Sequence, residues 1–307
     1  MQLNGSTAAG QAGLAGHLRS HPYAAAGLGL AMLAVLALII AGRSLGAGVS
    51  PEIVRNALLG GFAGFAATAL GACASLVLRG ISDRAEDILL GFAAGMMLSA
   101  SAFSLILPGI EAARDQFGPG AIAGLVVALG LGLGVALMLG LDRFTPHEHA
   151  HVGIHGPRAT RVSGVWLFVI AITLHNLPEG MAIGVSFSQG DLSVGLPLTT
   201  AIAIQDAPEG LAVAMALRAA RMGPWRAVLI AAASGLMEPI GALIGLGLST
   251  GMAIAYPIGL GLAAGAMIFV VSHEVIPETH RNGHQTPATI GLMGGFAVMM
   301  VLDTAFG

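Results

Sequence analysis

The sequence has no lysine and a single cysteine, and only 9% of its 307 residues are charged and 5% aromatic. One cysteine, Cys73, cannot close an intrachain disulfide, so no covalent framework holds this chain. The basic residues are 13 arginines, scattered and without interleaved aromatics, which excludes nucleic acid as a partner. So little charge also excludes an ordinary water-soluble globule, in which about a quarter of residues are charged. The chain is instead 55% hydrophobic, with 46 glycines, and its apolar residues fall in long runs. This is the composition of an all-α polytopic membrane protein, a helical bundle whose glycines admit close helix contacts and whose constant partner is membrane lipid.

Residues 1–23 are small, polar and Gly-rich and read as a flexible tail. Apolar runs follow near 24–42, 54–78, 87–110, 120–141, 164–188, 194–217, 226–249, 254–276 and 287–305, giving nine crossings. The first has the flanks of a secretory signal, Arg19 before it and Leu45-Gly46-Ala47 after it. It exceeds the about 7–15 apolar residues of such a signal, so a retained helix over 24–44 is favoured over a cleaved one. Residues 53–307 then form one helical unit, interrupted by a polar connection at 142–163. In alternate connections, Arg19, Arg79, Arg84, Arg143, Arg158, Arg161, Arg218, Arg221, Arg226 and Arg281 share the side of the N-terminus; Arg43, Arg55 and Arg114 lie opposite. Short cytoplasmic loops retain basic residues, so the N-terminus is expected in the cytoplasm and the C-terminus outside.

An internal repeat links the third and eighth runs. Gly91-Phe92-Ala93-Ala94-Gly95-Met96-Met97-Leu98 matches Gly261-Leu262-Ala263-Ala264-Gly265-Ala266-Met267-Ile268, and both runs are expected to end at a proline, Pro108 and Pro277. The copies are an odd number of crossings apart and therefore run in opposite directions. Inverted repeats of this kind mark transporters.

Two adjacent runs carry the chemistry. His175-Asn176-Leu177-Pro178-Glu179-Gly180 and Gln205-Asp206-Ala207-Pro208-Glu209-Gly210 each place two metal-capable side chains one helical turn before a glutamate. A charge at a bilayer centre costs about 2.5–3.5 kcal/mol, and neither run holds an arginine to offset it, so a divalent cation is the simplest neutralising partner. Glu238, beside Pro239 in the following run, has the same need. Pro178, Pro208 and Pro239 remove main-chain donors, which would free the carbonyls of Leu174, Ile204 and Gly235 toward a polar pathway. Imidazole with carboxylates suits Zn, Cd, Fe, Mn or Co, and the absence of thiolates keeps binding weak enough for release. No organic cofactor is indicated.

With these residues in view, the paired motifs resemble the metal-binding signatures of the ZIP (Zrt- and Irt-like protein) divalent metal transporters, in particular their bacterial branch. The resemblance runs from about Asn56 to the C-terminus and implies an eight-helix core with inverted repeats, to which the helix at 24–44 is an addition. It implies uptake of divalent transition metal, zinc foremost, into the cytoplasm across a bacterial inner membrane, by alternating access of elevator type in a homodimer. By matching positions, one ion would meet His175, Glu179, Gln205 and Glu209, and a second Asn176, Glu179, Asp206, Glu209 and Glu238. Met97 would approach the first as a soft ligand.

Around this centre, His273 and Glu274 at the cytoplasmic end of the eighth run are candidates for an exit station. It would lead toward His147, His149 and His151 of the 142–163 connection, or those histidines would regulate. Glu111 and Asp303 are candidates for the outer entrance. Two other function classes compete: a carboxylate-lined proton- or sodium-coupled carrier of another solute, and an intramembrane metal-dependent hydrolase. The latter lacks any His-Glu-x-x-His, and the chain is not expected to be an enzyme.

Overall fold

The computed structural model describes residues 19–44, 49–78, 82–144, 147–149, 153–155, 164–219 and 221–306. Most of the expected tail and all of His151 lie outside them. Nine helical rods stand among the described residues, close to the nine apolar runs. They are α1 (Pro22–Ser44), α2 (Pro51–Ala74), α3 (Asp83–Ala100) continued by α4 (Leu107–Phe117), α5 (Ala121–Phe144), α6 (Gly164–Phe187) and α7 (Leu192–Ala219). Then come α8 (Pro224–Ser234) continued by α9 (Met237–Ser249), α10 (Ala255–Val270) continued by α11 (Ile276–Thr279), and α12 (Gln285–Phe306). Among the described residues, seven rods are long and apolar enough to cross a membrane; α6 and α7 carry the polar motifs.

Helix starts follow local chemistry. Ser50 accepts a hydrogen bond from the Ile53 amide with Pro51 in the first turn of α2, and Ser82 accepts one from Ala85 at the head of α3. Packing between rods is set by glycine. A β-carbon on Gly91 or Gly95 of α3 would collide with the carbonyls of Ala288 and Leu292 on α12, and Gly261 and Gly265 of α10 press likewise on Val127 and Leu131 of α5. Gly180 and Gly184 bring α6 against the backbone of α9, and Gly71 and Gly210 join α2 to α7. With lipid as apolar as leucine, such backbone contact is what holds membrane helices together.

The inverted repeat is therefore a repeat of pairings. Exchanging α3 with α10 and α12 with α5 turns one glycine-locked pair into the other, and exchanging α2 with α9 and α7 with α6 does the same for the second set. Each copy also passes into a π-helical segment ten residues after its first glycine, Ser101–Ile106 (91 to 101) and Val271–Val275 (261 to 271). Here the expectation that both runs end at a proline is corrected. Pro108 and Pro277 sit in the first turns of α4 and α11, where a missing amide costs little, and the rods continue past them.

Helix α1 packs against α5 and α9, with Leu28 at Gly140 and Ile39 near Gly247; Ala31 is its fully buried residue among those described. The 142–163 connection, expected to be plain loop, contains two short antiparallel strands, β1 (His147–His149) and β2 (Gly153–His155), with His147 opposite His155 and β1 packed on α6. Its histidines lack the apolar alternation that would have announced a hairpin.

Candidate metal site

The seven motif residues, expected to face one another at mid-membrane, are all brought into the interior. His175, Asn176, Glu179, Gln205, Asp206, Glu209 and Glu238 are each buried, with Glu179, Gln205 and Glu238 fully so. Pro178 and Pro208 lie inside helices that run on unbroken, so the motifs keep the one-turn spacing that puts each glutamate beneath its partners. At the third proline the rod breaks instead. α8 ends at Ser234 and α9 begins at Met237, which leaves Glu238 in the first turn of α9, where a helix N-terminus favours negative charge.

Carboxylate oxygens of Glu179, Asp206 and Glu209 all lie within 4.8 Å of one another. Gln205 Nε2 donates to Glu179 Oε1 at 2.6 Å, which fixes the glutamate across the α6–α7 contact. Thr68 Oγ1 on α2 donates to Glu238 Oε1 at 3.1 Å. Asp206 and Glu238 face each other beside Gly64, whose absent side chain makes the room: a β-carbon there would overlap the Glu238 carboxylate and lie 2.9 Å from Asp206 Oδ2. Glu179 Oε2, Gln205 Oε1, Asp206 Oδ2, Glu209 Oε1 and Glu238 Oε2 are buried acceptors that no donor reaches. Unpaired buried acceptors are costly, and five converging from three helices with carboxylates among them form an arrangement that a divalent cation would satisfy.

The candidates around the centre separate. His273 and Glu274, read from sequence as one pair, reach different partners through the Val271–Val275 segment. Glu274 Oε2 lies 3.5 Å from His175 Nε2, at the rim of the carboxylate centre itself. His273 Nε2 is 3.9 Å from Asp142 Oδ1, with its ring over Phe269. Asp303 Oδ1 accepts from Ser104 Oγ at 2.5 Å, within the other π segment, whereas Glu111 is exposed on α4. π-turns recur at functional positions because they swing side chains off the regular helical face, and both here carry polar groups inward. Met97 is buried in the apolar core on α3, a helix packed on α7. His147 and His149 are placed by their backbone on β1.

Sequence reasoning missed Thr68, Gly64 and Asp142. A signal for the first two was present: Gly60, Gly64, Thr68 and Gly71 recur every three to four residues and so line one face of α2, with Thr68 as its one polar member. Asp142 gave no local signal, because its partner is supplied by a distant helix.

A family model described as "ZIP Zinc transporter" matches residues 143–303. The chain is 67% identical over 291 residues to the zinc transporter ZIPB of Bordetella bronchiseptica, covering 94% of each protein. It is 42% identical over 242 residues to the zinc transporter GufA of Myxococcus xanthus, covering 78% of this chain and 95% of that one. Human zinc transporter ZIP11 is 30% identical over 345 aligned positions, with 83% and 98% covered. The helical architecture, the paired motifs on α6 and α7 and these likenesses together establish that the chain belongs to the ZIP family of metal transporters.

Proposed function

We propose that this membrane protein carries divalent transition metal, zinc foremost, into the cytoplasm through the carboxylate centre between α6, α7 and α9. The observation that carries this reading is the cluster of buried, unpartnered oxygens on Glu179, Asp206, Glu209 and Glu238, with no arginine in α6 or α7 near the motifs. Zinc is the ion named for the relatives, and imidazole with carboxylate and amide oxygens suits it; cadmium, iron, manganese and cobalt share that preference.

In this reading Glu179 and Glu209 bridge two ions. His175 and Gln205 complete the first position, with Met97 approaching as a thioether. Asn176, Asp206 and Glu238 complete the second. Oxygens without thiolate hold the ion loosely enough to let it go. Entrance runs past Glu111 and Asp303, and release runs by Glu274 and His273 toward His147, His149 and His151. The arginine asymmetry orients the chain with its N-terminus in the cytoplasm of a bacterial cell, in the inner membrane.

The glycine-locked pairs favour an elevator. α2, α6, α7 and α8–α9 are joined by backbone contacts and carry all the centre's motif residues, so they move as one body. α3–α4, α5, α10–α11 and α12 form a second body of two locked pairs, a scaffold that a second copy of the chain extends into a homodimer.

Equilibrium dialysis of the purified chain against zinc or cadmium tests the centre. Two ions should bind per chain, and Glu179→Ala should lose both. A variant that keeps both ions would sink the bridging assignment.

A further inference from the structure

We infer that Thr68 is a positioning residue for the second metal position, and that α2, a helix outside both signature motifs, thereby sets the geometry of Glu238. The inference rests on the two-ion reading above and goes beyond its ligands. Thr68 is buried, and its hydroxyl hydrogen-bonds Glu238 Oε1 across helices far apart in sequence. That leaves Glu238 Oε2 as the carboxylate's one unpartnered oxygen, and it faces Asp206 Oδ2, itself unpartnered. The hydroxyl therefore holds one Glu238 oxygen on α2 and fixes the plane of the carboxylate, so that the other oxygen is turned toward Asp206.

Two glycines close the rest of the box. A β-carbon on Gly64 would occupy the carboxylate's own position, and one on Gly235 would stand 3.1 Å from the Thr68 Cβ and 3.3 Å from Glu238 Oε1. Thr68 supplies the hydroxyl donor to Glu238, whose other polar side-chain neighbour at the box is the Asp206 carboxyl. Without the Thr68 bond its carboxylate would be free to turn within the polar space it shares with Asp206. Partners that hold a ligating carboxylate in orientation commonly contribute ten- to a hundredfold in metal affinity.

The test uses full-length protein and zinc alone. Thr68→Val keeps the side-chain shape and deletes the hydroxyl; Thr68→Ser keeps the hydroxyl. Thr68→Val should weaken the second zinc-binding constant by about tenfold or more while leaving the first unchanged. In proteoliposomes it should raise the KM for zinc more than it lowers kcat, and Thr68→Ser should restore both. A merely structural threonine would shift both binding constants together or neither. Gly64→Ala, which displaces the carboxylate directly, should abolish the second ion and spare the first. Two zinc ions bound by Thr68→Val with unchanged constants would overturn the assignment to Thr68 alone. A wild-type chain that binds one zinc, with Glu238→Gln indistinguishable from it, would overturn the two-ion reading and this inference with it.

Discussion

At the scale of single residues, the centre is a set of buried carboxyl groups held together with no arginine or lysine among them. Glu179, Asp206 and Glu209 sit within 4.8 Å of one another in the interior, and the one side-chain hydrogen bond described among them and their neighbours on α6 and α7 runs from Gln205 to Glu179. Mutual repulsion and burial oppose this arrangement, so removing one carboxylate should not unfold the metal-free protein. Glu209→Ala is expected to melt no lower than the wild type without metal, and to lose metal-dependent stabilisation. For the wild type that stabilisation should reach about 2.7 kcal/mol at zinc a hundredfold above its dissociation constant. Thermal unfolding with and without zinc checks both. A variant destabilised in the absence of metal would mean that Glu209 holds the fold rather than the ion. The hairpin histidines stand apart. His147→Ala and His149→Ala should still transport and alter rate or its response to metal, as initial-rate measurements would report; abolished flux would place them on the obligatory route.

The elements show what local sequence encodes. Gly134 of α5 packs on the backbone of α10 at Leu262, so Gly134→Leu should separate the pair and destabilise the protein by about 1–3 kcal/mol or more, read as a lower melting temperature in detergent. Sliding of one body past the other is tested by disulfides in a Cys73→Ser background. Val185 on α6 and Gly259 on α10 lie across the two bodies, with a β-carbon at 259 only 3.3 Å from the Val185 side chain. Val185→Cys with Gly259→Cys should stop flux when oxidised and regain it on reduction. Gly60→Cys with Thr199→Cys, within the moving body, should not respond. The rods themselves were legible as apolar runs because each must satisfy its backbone internally and present an apolar surface to lipid. The π segments were not: Ser101–Ile106 and Val271–Val275 contain nothing that distinguishes them from ordinary helix. The 147–155 hairpin was hidden as well, since the residues paired across it, His147 with His155 and Glu148 with Ile154, show no apolar alternation.

For the whole molecule, the site was readable where a residue type is expensive and silent where it is ordinary. A glutamate in an apolar run, repeated thirty residues on with the same Pro and Gly beside it, has few reasons to exist other than a cation. Thr68 is a common membrane-helix residue, so only its tertiary partner Glu238 reveals it; Glu274 was legible as an exit candidate, but its place beside His175 was not. Membership of the ZIP family sets aside the hydrolase reading, since these proteins are transporters. It leaves transport through this particular centre as the central claim. The measurement that tests it most directly is zinc and cadmium flux into liposomes holding a trapped indicator, with wild-type protein and Glu209→Ala reconstituted side by side under imposed pH and voltage gradients. Influx in the wild type and none in Glu209→Ala is the predicted result. A Glu209→Ala protein that moves zinc at the wild-type rate would contradict it.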